Sequence, residues 1–346
     1  MNDLGSLTIP ELTDYLKTLG EPSYRASQIF DWLHKRGAIS FDEMTNLPKP
    51  LREKLSEDCV LREPVIRKVQ ESKIDGTRKY LLELEDGNLI EAVRMRYEYG
   101  DTVCISSQAG CRMGCAFCAS GIGGLKRNLT ASEMLGEIAV VEKDTGSKLS
   151  HIVVMGTGEP LDNYDNLVRF IELVSDEKGR NLSQRNITVS TCGIVPKIRE
   201  LADRRFQITL AISLHAVTDE KRRRIMPVAK SYSIRELTEA CRYYFDRTGR
   251  RLSLEYALIA GNNDTDEDAE GLSSIAKSLG AHVNLIPVNP VTEAGMKRPK
   301  RAAVLNFRDR LLKRGVNVTV RRELGSDIDG ACGQLRHRDG IPADLQ

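Results

Sequence analysis

The sequence predicts an α/β protein: a partial, open, TIM-like (β/α)6 barrel, preceded by a small helical unit and a β-hairpin extension. Three patterns lead there. Residues 8–60 carry apolar positions at helical spacing. Two alternating runs flank Asp86-Gly87, a strong hairpin signal. Beyond residue 100, apolar strand-like runs recur at intervals of roughly 20 to 50 residues, separated by amphipathic stretches, which is the rhythm of βα units on a parallel sheet.

In order, Thr8-Ile9-Pro10-Glu11 combines a capping residue, a proline and a glutamate at the third position, and so starts a helix. Leu12, Tyr15 and Leu16 follow on its apolar face. The stretch 21–37, EPSYRASQIFDWLHKRG, predicts a second helix with Ile29, Phe30 and Leu33 inward and Gly37 as the stop. Trp32, the only tryptophan, sits among basic residues, a setting that suits nucleic-acid contact but suits core packing better. The hairpin covers 78–97. The predicted barrel strands are 102–108, 151–156, 186–191, 207–214, 252–259 and 282–288, with a further strand at 316–322. The expected division is residues 1–60 as helical accessory domain, 61–100 as hairpin extension and 101–346 as barrel with a C-terminal segment.

Composition excludes several classes. The chain has 346 residues, 40% hydrophobic and 29% charged, which is globular rather than disordered. It contains no apolar run of membrane-spanning length, and its first residues lack a basic and apolar leader, so the expectation is a cytoplasmic protein with no membrane partner. Net charge is only +2, yet 12 Lys/Arg face 6 Asp/Glu from Gly295 onward. Together with the run Lys221-Arg222-Arg223-Arg224, that unevenness permits a polyanionic partner, although solvated helix faces explain it equally well.

The sharpest signal is GCRMGCAFCASG, residues 110–121. Cys111, Cys115 and Cys118 read C-x3-C-x2-C, just after the first barrel strand, where α/β barrels place their active sites. Clustered cysteines in a long chain point to metal or catalysis rather than a disulfide framework. A structural zinc site takes four protein ligands, and no second close pair exists. Three thiolates on an iron–sulfur cluster leave one iron open to a non-protein ligand. A three-thiol zinc site and a chance grouping are the competing readings.

The chain resembles the radical S-adenosylmethionine (SAM) RNA adenine methyltransferases, in particular the dual-specificity enzymes acting on C2 of adenine in 23S rRNA and tRNA. The resemblance runs almost end to end, through EPSYRASQIFDWLHKRG, CISSQAGCRMGCAFCASG, GLKRNLT, MGTGEPLDN, STCGIVP, ISLHA, LIPVNP and DIDGACGQL. It implies a radical SAM barrel in which Cys111, Cys115 and Cys118 ligate a [4Fe–4S] cluster and the fourth iron binds SAM. It carries SAM contacts onto Gly158, Glu159, Ser190, Ser213, Leu214, His215 and Asn289. Thr157 stands where the family usually has Met. Two SAM molecules are used per turnover: one methylates Cys332, and the second, cleaved at the cluster, activates that methyl for addition to C2. The resemblance makes Glu91 the acceptor of the C2 proton and Cys104 the thiol that releases product by forming a disulfide with Cys332. It further implies 23S rRNA and tRNA as substrates, a low-potential donor such as flavodoxin or ferredoxin, and a monomer. The sister activity, methylation at C8, shares this machinery; Gly-Glu-Pro and LIPVNP favour C2. A non-catalytic, metal-bearing RNA binder would need none of Gly-Glu-Pro, Cys104 and Cys332 together.

Overall fold

The computed structural model describes residues 2–288 and 296–328. Three helices, α1 (Ile9–Thr18), α2 (Tyr24–Asp31) and α3 (Lys49–Asp58), form the N-terminal unit. Helix α1 starts at the expected capping box, in which Glu11 accepts hydrogen bonds from the Thr8 amide and hydroxyl at 2.8 and 2.7 Å. Helix α2 is shorter than its sequence pattern suggests. It gives way at Trp32 to a π turn, Trp32–Arg36, which closes on the left-handed Gly37.

A ten-stranded sheet follows: β1 (Val65–Glu71), β2 (Arg78–Glu83), β3 (Leu89–Tyr97), β4 (Gly100–Ile105), β5 (His151–Val154), β6 (Ile187–Thr191), β7 (Thr209–Ser213), β8 (Ser253–Leu258), β9 (His282–Pro287) and β10 (Val318–Val320). The strands lie side by side in chain order. Strands β1 to β4 form an antiparallel meander, and β4 to β10 are parallel. The hairpin β2–β3 is as expected. Strand β1, polar and largely exposed, lacks the alternation that would announce it. The extension is thus hydrogen-bonded to the barrel through β3–β4.

The crossover helices are α4 (Ala131–Thr145), α5 (Tyr164–Ser175), α6 (Val195–Asp203), α7 (Asp219–Ile225), α8 (Ile234–Thr248), α9 (Asp266–Ser278) and α10 (Arg301–Lys313). Capping boxes begin α4, α8 and α9 at Thr130, Ser233 and Thr265, and left-handed glycines end α4 and α8. Alternation divides the sheet. Tyr80, Ile90, Val103, Ile152, Val189 and Ile212 belong to the main core under the helices, leaving the other face to line an open barrel.

The N-terminal unit is fastened to this barrel. Arg169 on α5 donates to both oxygens of Glu11 at 2.7 Å, and the Ser132 amide donates to Ser6 Oγ at 3.0 Å. His34 is packed into the seam, 4.3 Å from the Phe30 ring and against Gly179. Burial holds its imidazole down at about 4, only partly offset by Asp176.

The unfolded chain, with a histidine near its ordinary value, therefore binds a proton here that the folded chain refuses between about pH 6.5 and 4. This stability is present above that window and lost as pH falls through it. Replacing His34 with Leu removes the dependence. The stability difference between wild type and His34→Leu should fall by about 2 kcal/mol from pH 7 to pH 5 in urea titrations; parallel profiles would contradict this assignment.

Candidate active site

The three cysteines occupy one closed loop. After β4, residues Gln108–Gly110 pair antiparallel with Leu125–Asn128, bringing the two ends of the loop together. Gly110 has φ of 83°, and a Cβ there would stand 2.0 Å from the Gly124 carbonyl oxygen, so only glycine closes the loop. The Cys111 amide donates to that carbonyl at 3.2 Å, and the Cys118 amide donates to Cys115 O at 3.1 Å. The Ala116 amide donates to Ile225 O at 2.9 Å, tying the loop to the end of α7. Met113, Cys115 and Phe117 pack on an apolar cluster that includes Cys192, Ala216, Met226 and Val288.

Burial pushes the Cys111 thiol up to about 11 and the Cys115 thiol up to about 12, and repulsion from the neighbouring loop thiols adds to both. Cys111 and Cys115, kept protonated by burial and by the neighbouring thiols, make the loop a place where positive charge is favoured. Among the described residues, no group of three His, Cys, Asp or Glu side chains is arranged to hold a single metal ion. An iron–sulfur cluster requires a different arrangement, one thiolate on each of three irons, and the donor set fits it.

Below the loop lies the inner face of the sheet. Pairing runs Lys79↔Val93↔Cys104↔Val153↔Thr188↔Thr209, and one level further along, Ser213↔Glu255↔Asn284↔Thr319. Residues directly paired, or two apart on one strand, share a face. Cys104, Glu91, Ser190 and Ser213 therefore all belong to the inner face, while the apolar residues between them turn to the helices.

The Gly-rich segment after β5 lies backbone to backbone on the end of β4. Thr157 O accepts from the Ser107 and Gln108 amides at 2.9 and 3.1 Å. A Cβ on Gly158, whose φ is 112°, would come within 2.7 Å of Ser107 and Gln108. Glu159 is buried, and both its oxygens accept backbone amides: Cys192 at 2.7 Å and Leu161 at 3.0 Å. Its carboxylate braces the ends of β5 and β6 against each other.

At the end of β7, Leu214 is buried and His215 takes a left-handed φ of 56°. That conformation costs a non-glycine residue roughly 1–2 kcal/mol. His215 Nδ1 accepts the Ala257 amide at 2.9 Å, which puts the ring proton on Nε2. The ring meets Phe117 edge-on at 4.6 Å. Burial lowers its value to about 3, with Arg222 adding to the effect, so the imidazole stays neutral.

Two residues in this region escape sequence reasoning. Asn263 donates to His215 O and Ala257 O at 2.8 and 2.7 Å, clamping the strained turn. Arg222 is fully buried and donates to Leu214 O, Cys192 O and Ser213 O at 3.1, 2.6 and 3.2 Å, gathering the ends of β6 and β7. The basic run 221–224 is therefore not a uniform polyanion surface: Arg222 points inward, and Lys221 pairs with Asp268 at 2.7 Å. Both residues look like ordinary surface polar residues in the sequence, and only the tertiary fold turns them inward.

Glu91 is 3% exposed, far from the exposed position that a strand glutamate usually takes, and lies 3.1 Å from Lys79 Nζ. Cys104 is buried one strand away; burial pushes its thiol up to about 11, while Arg321 and Lys79 pull it down. Asn289 and Cys332 lie outside the described residues. The chain leading towards Cys332 is pinned to the β1–β2 turn: Asp327 accepts from Ser72 Oγ at 2.6 Å and the Lys73 amide at 2.8 Å, and Asp75 accepts the Gly325 amide at 2.9 Å.

Comparison with known proteins gives the family. The family described as "Ribosomal RNA large subunit methyltransferase N-terminal domain" matches residues 2–61, and "Radical SAM superfamily" matches 105–272. The "Probable dual-specificity RNA methyltransferase RlmN" of Lachnospira eligens is 56% identical over 98% of this chain and 97% of that protein. The chain belongs to the RlmN family of radical SAM RNA methyltransferases. The protein of the same name from Clostridium perfringens strain 13 is 53% identical over 97% of each chain. A crystal structure of a radical SAM methyltransferase from Sphaerobacter thermophilus superposes with a TM-score of 0.92 at 43% identity, covering 96% of this chain and 99% of that one. Membership in this family implies a [4Fe–4S] cluster and SAM as cofactors.

Gly110→Ala should force the loop open. Reconstituted protein is expected to hold less than about half the wild-type iron, with the far-ultraviolet spectrum unchanged. Full iron loading would show that the close approach of Gly110 to Gly124 is dispensable.

Proposed function

We propose that this chain methylates C2 of one adenine in 23S rRNA and of the adenine 3′ of the anticodon in tRNA, with Cys332 as methyl carrier. The observation that carries this reading is the placement of Glu91 and Cys104 on the inner face that also bears Ser190 and Ser213, next to the three-cysteine loop. Cys111, Cys115 and Cys118 would hold the cluster, which when bound supplies one-electron reduction of SAM and hence hydrogen abstraction from an unreactive methyl group.

The other steps belong to the chain's own residues. Gly158 lets the segment that bears the proposed SAM contacts pack against the end of β4, Ser190 and Ser213 offer hydroxyls from neighbouring strands, and neutral His215 presents its Nε2 proton. Leu214 and Asn289 complete the proposed SAM contacts, and Glu159 acts by fixing the strand ends. Glu91 accepts the C2 proton once the carbon carried by Cys332 has joined the ring, and the odd electron left on the ring would return to the cluster that gave one electron to SAM. The Cys104 thiolate then attacks the Cys332 sulfur. A disulfide forms, the carbon–sulfur bond breaks, and the released carbon takes a proton to become the new methyl group. A thiol reductant restores both cysteines.

An adenine must leave its stack to reach this face. The N-terminal unit offers cation–aromatic pairs with one exposed member each for the surrounding RNA, half-buried Arg25 over exposed Tyr24 at 4.9 Å and exposed Arg36 over half-buried Trp32 at 4.4 Å. Trp32 is also packed partly against the core and donates to Asn46 at 2.6 Å. No helix among the described residues is long and apolar enough to cross a membrane. A cytoplasmic monomer reduced by a flavodoxin or ferredoxin completes the reading.

Anaerobically reconstituted protein, supplied with reductant, SAM and the peptidyl-transferase region of 23S rRNA, should yield 2-methyladenosine on digestion and mass spectrometry. 8-Methyladenosine would assign the chain to the C8 branch. Neither product, with SAM cleavage intact, would sink the RNA reading.

A further inference from the structure

Lys79 has no role in the chemistry described so far, yet it is fully buried at the site. It is 0% exposed on β2 and pairs with Glu91 across the inner face at 3.1 Å. Lysine is almost never fully buried without a partner, because the desolvation of its ammonium exceeds what one ion pair returns unless something holds the pair in place. Here the sheet holds it. Lys79 is directly opposite Val93, and Val93 is directly opposite Cys104, so Lys79, Val93 and Cys104 form one row across β2, β3 and β4. Glu91, two residues before Val93, is the diagonal neighbour of Lys79 on that face. One ammonium thus stands beside Glu91 and in the same row as Cys104, two strands and about 10 Å away.

We propose that Lys79 is a positioning residue for the second half of the cycle: it orients the Glu91 carboxylate towards the C2 proton and, together with Arg321, supplies the positive charge against which Cys104 becomes a thiolate. The proposal rests on the functional reading above. Its chemistry is constrained by the surroundings. The Cys104 thiol is faced by three charged groups, Arg321 from beyond β10, Glu137 from α4 and Lys79, of which only the two cations favour the thiolate. Glu137 is committed elsewhere, its two oxygens accepting the Ser106 amide at 3.2 and 3.0 Å. Ser106 Oγ in turn donates to Glu91 O at 2.8 Å, which fixes the backbone that carries the base. The cluster that Cys111, Cys115 and Cys118 would hold supplies the hydrogen-abstraction half of the cycle, and Lys79, Val93 and Cys104 are not among the residues that would hold it. Removing the ammonium should therefore separate the two halves.

The test uses full-length, cluster-reconstituted Lys79→Met, Lys79→Gln and Lys79→Arg, each checked by circular dichroism and thermal melting. Three products are followed together: 5′-deoxyadenosine, 2-methyladenosine, and protein–RNA adduct resistant to denaturing electrophoresis. Lys79→Met is expected to release 5′-deoxyadenosine within about threefold of wild type, to lose methyladenosine by about a hundredfold, and to accumulate adduct. Lys79→Arg, which keeps the charge, should recover part of the methylation. If Lys79→Met does not fold, the Gln and Arg variants carry the same comparison.

Methylation within threefold of wild type in a folded Met or Gln variant overturns the proposal. Equal loss of 5′-deoxyadenosine and methyladenosine without adduct also overturns it, because it marks Lys79 as merely structural. A wild-type enzyme that makes no methylated adenosine is a separate outcome: it removes the functional reading on which the proposal stands.

Discussion

The site depends on a single hydrogen-bond register that continues from the antiparallel strands of the extension into the parallel strands of the barrel. Because side chains alternate along a strand, a slip of one residue in any strand would exchange its two faces. The helix-covered face would then receive Glu91, Cys104 or Ser190, and the inner face would receive Ile90, Val103 or Val189. Burial of the apolar set under the helices fixes the register, at about 25 cal/mol for each Å² removed from water. The polar inner face follows from it. Stability and chemistry are written on alternate residues of the same strands.

That division explains where the molecule tolerates unfavourable groups. Lys79, Glu91, Glu137, Arg222 and His215 are all buried, and each would destabilise an ordinary core. Each is held by backbone or by a paired charge: Glu137 by the Ser106 amide, Arg222 by three strand-end carbonyls, and Lys79 and Glu91 by one another. His215 keeps a strained backbone because Asn263 and the Ala257 amide hold it from both sides. Such groups persist where the surroundings over-determine them: Arg222 and His215 at the C-terminal ends of the parallel strands, where a barrel builds its chemistry, and Lys79 and Glu91 on the antiparallel strands that continue the same sheet.

Much of this was legible in the sequence, for physical reasons that can be named. The barrel strands are long apolar runs with helical stretches between them, and the hairpin carries its turn residues, so both are local signals. The C-x3-C-x2-C loop is legible because its chemistry is confined to eight residues. Strand β1 was not, because an exposed edge strand has no apolar alternation to display. The π turn at Trp32 follows from how α2 packs and not from its propensities. Arg222 reads as one more residue of a basic run, and nothing in the hairpin's sequence singles out Lys79, because burial by tertiary neighbours leaves no mark on local sequence. Glu91 emerged only through resemblance; the structure adds a physical reason, since a 3% exposed carboxylate needs a counter-charge and has one.

The account turns on Cys104 being the thiol that releases product from Cys332. The most direct measurement is a single turnover without added thiol, followed by alkylation, proteolysis and mass spectrometry of the cysteine peptides. The account predicts a Cys104–Cys332 disulfide formed in proportion to methylated RNA, with Cys59, Cys192 and Cys241 all alkylated as free thiols. Product released while Cys104 remains a free thiol would contradict it.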